Sequence, residues 1–155
     1  MQPNEQADHD GCREGSIAKL RECLEAELAA AESYEIALRR TRDVELASLL
    51  RMMHDSHERR AIMVWSELVA AGGDPPRSVR AWDAVGSVER SGTNLLAARE
   101  AVTALVEGED RSTRLYSENL ERCEPRVREL IRRQLLPEQF DTLQACASLR
   151  SLLGP

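Results

Sequence analysis

The chain has 155 residues, with 27 acidic and 21 basic side chains mixed along its length for a net charge of −6. That balance excludes the basic patch a nucleic-acid or anionic-membrane surface needs, and an aromatic share of 3% excludes base-stacking platforms. Ala, Leu, Glu and Arg dominate, as in long helices, and no stretch reaches the ~18 apolar residues of a membrane span.

Met1 to Gly15 is polar and acidic, without the apolar segment of a signal peptide, and reads as a disordered tail. A first helix is predicted from Ser16, as N-cap, to Arg40, with Ile17, Leu20, Leu24, Leu28, Ala31, Glu35 and Leu38 on one face. A second is predicted over Val44 to Ala71, carried by Leu46, Leu50, Met53, His57, Ala61, Val64 and Leu68. Gly72-Gly73 and Asp74-Pro75-Pro76 stop it. The segment 74–92 then reads as a long crossover, pinned to the bundle by Trp82. A third helix fits Thr93 to Arg122, with Leu95, Ala98, Val102, Leu105, Glu109, Tyr116 and Leu120 facing inward. A fourth runs from Pro125 to about Leu153 on a stripe of Val127, Ile131, Gln134, Glu138, Asp141, Ala145 and Leu149, kinked at Pro137.

Short, long, short connections predict an all-α, ferritin-like four-helix bundle over residues 16–153, two antiparallel hairpins joined by one crossover. The absence of a secretion signal and of any Cys-x-x-Cys pair among Cys12, Cys23, Cys123 and Cys146 points to a soluble cytoplasmic protein with reduced thiols. Long apolar stripes and a pairable outer face suggest a homodimer that binds neither nucleic acid nor membrane.

An internal repeat selects the candidate site. Leu24-Glu25-Ala26-Glu27 leads to Tyr34 and Leu38, as Val106-Glu107-Gly108-Glu109 leads to Tyr116 and Leu120, at a shift of 82 residues. Leu49-Leu50-Arg51 answers Leu130-Ile131-Arg132 at a shift of 81, which sets His57 opposite Glu138. A seven-residue step falls within ~20° of two full turns, so each Glu shares a face with its Tyr. Glu109 lies in register with apolar positions, where a carboxylate must be paired, protonated or metal-bound. Glu138 with Asp141, and His54 with His57, repeat the i, i+3 spacing of ligand pairs.

At these residues the chain resembles a small bacterial ferritin-like family of unknown function, the YciF-like stress-associated proteins. Leu68 through Ala70-Ala71-Gly72-Gly73-Asp74-Pro75, Trp82, Val106-Glu107-Gly108-Glu109-Asp110 before Tyr116, and Val127-Arg128-Glu129-Leu130-Ile131 with Gln134 carry the likeness. Ferritin-like di-iron bundles place Glu on two helices and Glu-x-x-His on the other two. Here Glu27 and Glu109 match the first kind, while His54-x-x-His57 and Glu138-x-x-Asp141 depart from the second. The expected metal ligands are thus Glu27, His54, His57, Glu109, Glu138 and Asp141, with Tyr34 and Tyr116 hydrogen-bonded behind them, around Fe, Mn or Zn. The implied role is stress-related iron or oxygen handling. The other reading is a metal-free structural or protein-interaction bundle, with Glu109 paired to an arginine such as Arg60 or Arg133. No nucleophile elbow, P-loop or dinucleotide fingerprint points to other chemistry.

Overall fold

The computed structural model describes residues 3–77 and 95–153. The described residues form helices and turns, in the order α1 (Pro3–Arg40), α2 (Val44–Ala70), α3 (Leu95–Ser117), a 3-10 turn (Leu120–Arg122), α4 (Pro125–Leu130), a π turn (Ile131–Leu135) and α5 (Leu136–Leu152). The last three are one continuous rod, so four rods pack together. The crossover beyond Arg77, with Trp82, and the predicted start of the third helix at Thr93 lie outside the described residues.

Helix α1 begins at Pro3 rather than at Ser16, where the sequence predicts a tail. The extension is held by tertiary contacts that local composition does not encode. Arg13 donates to the Ala71 carbonyl through Nε and Nη2, at 3.3 and 3.2 Å. Gly15 lies so close to the α3–α4 connection that an added Cβ would stand 2.2 Å from the Arg122 carbonyl oxygen. Ser16 is not an N-cap for its own helix. Its hydroxyl is buried, donates to the Cys12 carbonyl at 2.9 Å and accepts from the Glu124 amide at 2.8 Å.

Asp43 caps α2 by accepting from the Leu46 amide at 2.8 Å. Its far end is a paired-bond glycine stop. Gly72, at φ +86°, donates to Val69, and Gly73 donates to Leu68, both at 2.9 Å. Gly73 also has no room for a side chain, because a Cβ would stand 2.3 Å from Leu68 Cδ1. Helix α3 ends at a left-handed Asn119, and Pro125 opens α4 in its first turn.

Packing joins α1 to α2, α3 to α5, α1 to α3 and α2 to α5. Bonds from Tyr34 to Glu109 and from Tyr116 to Glu27 show α1 and α3 antiparallel. Arg126–Glu67 and Arg60–Gln139 show the same for α2 and the fourth rod. This leaves α2 and α3 on a diagonal. Two apolar clusters fill the interior. One centres on Leu20, Cys23, Leu68, Ile131 and Leu135, the other on Leu50, Met53, Leu105, Cys146 and Leu149.

The fourth rod departs most from expectation. Its buried positions are Val127, Ile131, Leu135, Gln139, Thr142, Cys146 and Leu149. Gln134 and Asp141 are exposed and Glu138 and Ala145 half-buried. The π turn is the cause. Its i→i+5 bonds take in one more residue than an α turn and rotate everything downstream by one position. Pro137 follows directly, and it has no amide hydrogen to return to Arg133, so the wider turn lies where the α ladder is already broken. The proline is accommodated by a bulge rather than by a sharp kink alone.

Candidate functional site: a buried Glu–His–Arg–Glu network

The interior polar groups lie between the two apolar clusters, and all four rods contribute to them. Glu27 on α1, His57 and Arg60 on α2, Glu109 on α3 and Gln139 on α5 are all at most 1% exposed. The helical step places His57 and Arg60, three apart, on one inward face of α2.

His57 joins the two carboxylates. Its Nδ1 lies 2.6 Å from Glu27 Oε2 and its Nε2 lies 2.8 Å from Glu109 Oε1. Arg60 Nε donates to Glu27 Oε1 at 2.8 Å, Nη1 to Ser56 Oγ at 3.2 Å and Nη2 to Gln139 Oε1 at 2.9 Å. The Tyr116 hydroxyl donates to Glu27 Oε1, and the Tyr34 hydroxyl to Glu109 Oε1 at 2.6 Å. Glu109 Oε2 accepts from Gln139 Nε2 at 2.6 Å and from Thr142 Oγ1 at 3.3 Å. The Tyr34 ring stacks on His57, with centroids 5.3 Å apart. No buried side-chain nitrogen or oxygen among the described residues lacks a partner.

The protonation states follow from this geometry. Burial disfavours the charged form of Glu27, but the charge and hydrogen bond of His57, then those of Arg60, outweigh it and hold the carboxyl below its ordinary range. Glu109 is likewise lowered: burial opposes ionisation, and the His57 bond and charge, with bonds from Tyr34 and Gln139, reverse that. For His57, burial favours the neutral ring, yet the two carboxylates raise its pKa. A carboxylate on each side of the ring favours its doubly protonated form. Arg60 Nη2 lies 2.8 Å from Nδ1 as well as 2.9 Å from Gln139 Oε1, so its two hydrogens face the ring and the amide. With the ring in that form, two carboxylates are matched by two cations. Burial and then the adjacent carboxylate push Tyr34 and Tyr116 well up, so both stay as donors.

Of the residues predicted to converge, Glu27, His57 and Glu109 meet, with Tyr34 and Tyr116 bonded behind them. Glu138, Asp141 and His54 do not. Glu138 pairs with Arg59 at 3.2 Å near the surface, and Asp141 is exposed, both displaced by the π turn. His54 sits outside the centre, partly exposed on the α1–α2 side near Glu35 and Glu58. Arg60 does enter the network, although its ion pair is with Glu27 rather than Glu109. Arg133 instead pairs with Glu129. Gln139 and Thr142 escape sequence reading altogether. The signal was present in the 82-residue shift of the first repeat pair, which carries His57 onto Gln139 and Arg60 onto Thr142. The shift of 81 holds only ahead of the π turn, where Leu50 answers Ile131; behind it Met53 answers Leu135 and Val64 answers Cys146.

A metal of the kind a di-iron bundle holds does not fit this donor set. Both imidazole nitrogens are spent on carboxylates, and the guanidinium of Arg60, which cannot lose its proton to become a ligand, lies against His57 and Glu27. The residues are matched to one another instead.

A separate polar group lies on the outer side of α2. His54, Asp55 and Glu58 each present one ligand atom, all within 4.8 Å of one another, so a carboxylate/histidine group able to hold a metal exists there. Cys23, Cys123 and Cys146 are buried and free, and Cys12 is free and partly exposed. No helix of the described residues is long and apolar enough to cross a membrane. No protein-family model matches this sequence, and no curated protein matches it.

Proposed function

We propose that the chain is a ferritin-like bundle whose centre is closed by its own cations, and that it serves as a structural or protein-interaction module. The observation that carries this reading is the neutral, fully bonded set of Glu27, His57, Arg60 and Glu109. Such a network specifies one packing of four rods, because any slip leaves a buried charge unpaired at a cost of about 3–5 kcal/mol. The sequence resemblance to YciF-like proteins supports the ferritin-like assignment, as do the antiparallel neighbours with α2 and α3 on a diagonal. The expected homodimer belongs to the same reading. Ile62, Trp65 and Val69 are 69%, 49% and 45% exposed along one face of α2, and the mixed charges beside them, such as Arg51 and Glu58, are self-complementary in sign.

The competing reading is a central Fe, Mn or Zn site for iron or oxygen handling in a cytoplasmic stress response. One experiment separates the two. The His54→Gln variant, which lacks the outer ligand group, is loaded anaerobically with iron or manganese, desalted, and measured by elemental analysis and by sedimentation. The module reading expects dimers without stoichiometric metal. Stoichiometric metal that disappears on Glu109→Gln would establish the central site instead, and a monomer would remove the dimer.

A further inference from the structure

We infer that the outer face of α2 is the seam of a twofold homodimer, in which two copies of α2 lie antiparallel with the axis level with residue 53. The inference rests on the homodimer proposed above and names its register.

Val44, Arg51, Asp55 and Ile62 follow one another along α2 at steps of seven, four and seven residues. At ~100° per residue they fall within about 40° of arc, so one stripe carries all four. The stripe faces away from the inward side of α2, which holds His57, Arg60, Val64 and Leu68. Val44 and Ile62 are 82% and 69% exposed, and Arg51 and Asp55 are exposed as well. An apolar, basic, acidic, apolar order is thus spaced identically in both directions from residue 53.

In a twofold contact, whatever residue i meets on the partner, that residue's own copy meets i in return. Reversing one α2 about residue 53 sets Val44 on the partner subunit's Ile62 and Arg51 on the partner subunit's Asp55, each pair formed twice. Apolar then meets apolar, and opposite charges meet. The charges also select the register. A slide of one turn in one direction sets Asp55 on the partner subunit's Asp55, and in the other Arg51 on the partner subunit's Arg51, both like-charge contacts. In the chosen register Glu58 is level with the partner subunit's Ser48 and Arg59 with the partner subunit's Ala47, so neither meets a like charge. Trp65 and Val69 extend past the partner's first turn of α2 and lie at the rim.

Sedimentation equilibrium of the reduced full chain tests the seam. The native chain should dimerise. Arg51→Asp and Asp55→Arg should each weaken self-association at least ~10-fold, because each sets like charges across the seam twice. An equimolar mixture of the two variants should associate as tightly as the native chain, since every crossing pair is then opposite in sign. Arg51 and Asp55 are also four apart on one helix, but a role within the chain would give no such rescue on mixing. A native dimer indifferent to both charge reversals, or variants that stay apart when mixed, would overturn the seam and leave the homodimer standing. A monomeric native chain would remove both.

Discussion

At the scale of single residues, His57 decides how the interior behaves. It stands between two buried carboxylates, so each of the three holds the others charged. Replacing Glu109 by Gln strands the imidazolium on one side and should destabilise the fold by about 3 kcal/mol, read from denaturant unfolding. The isosteric change keeps the shape, so the loss reports charge rather than packing. The pH response has two signs. Glu27 and Glu109 are lowered, so their contribution is present above their unfolded values near ~4.3 and is lost as pH falls through the folded ones. His57 is raised, so its contribution is full below the unfolded value of ~6.5 and fades as pH climbs through the folded one. The difference in stability between the native chain and Glu109→Gln should therefore be largest near pH 5–6 and shrink on both sides. A difference that grows steadily with pH would contradict this.

At the scale of elements, the sequence reads well wherever one helical period runs unbroken. Apolar recurrence places His57 and Glu109 on the inward faces of α2 and α3, whereas on α1 the predicted stripe runs through Leu28 and Glu35, both only partly buried, and Glu27 follows from the internal repeat instead. The fourth rod is misread because a π turn leaves no mark in composition. Apolar and polar residues alternate ambiguously around Gln134 and Leu135, and Pro137 signals a break without saying which kind. The start of α1 is misread for another reason: Met1 to Gly15 carries no apolar stripe, and its described residues are held by contacts to Ala71 and Arg122 that lie far along the chain. The bulge makes a direct prediction. Deleting the exposed Gln134 together with Pro137→Ala should restore a plain α-helix without rotating Gln139 or Thr142, because the π turn holds one residue more than the α turn. The thermal midpoint should move by only a few degrees, corresponding to less than about 1 kcal/mol. Unfolding of that variant would show that the rod keeps α register throughout.

At the scale of the whole molecule, the two apolar clusters are exchanged by the internal repeat. The 82-residue shift takes Leu20, Cys23 and Val64 of one cluster to Val102, Leu105 and Cys146 of the other, and takes Tyr34 and Met53 back to Tyr116 and Leu135. The polar network lies between them, where such a pseudo-twofold exchange would place its axis. The residue types there are not symmetric: the shift makes Gln139 the counterpart of His57 and Thr142 the counterpart of Arg60. One half supplies both cations and the other supplies neutral hydrogen-bonding groups. A symmetric pair of His or Arg residues would leave net positive charge in the interior, and a symmetric pair of Gln and Thr would leave two carboxylates uncompensated. The asymmetry is what makes the centre neutral, and a neutral, fully bonded centre leaves no coordination position for an ion. The measurement that reaches this claim most directly is nitrogen-15 NMR of the His57 ring at pH 7, before and after addition of ferrous or manganous ion. The account predicts both ring nitrogens protonated, with signals unchanged when metal is added. A ring nitrogen without a proton, or a His57 signal displaced or broadened away by stoichiometric metal, would contradict it.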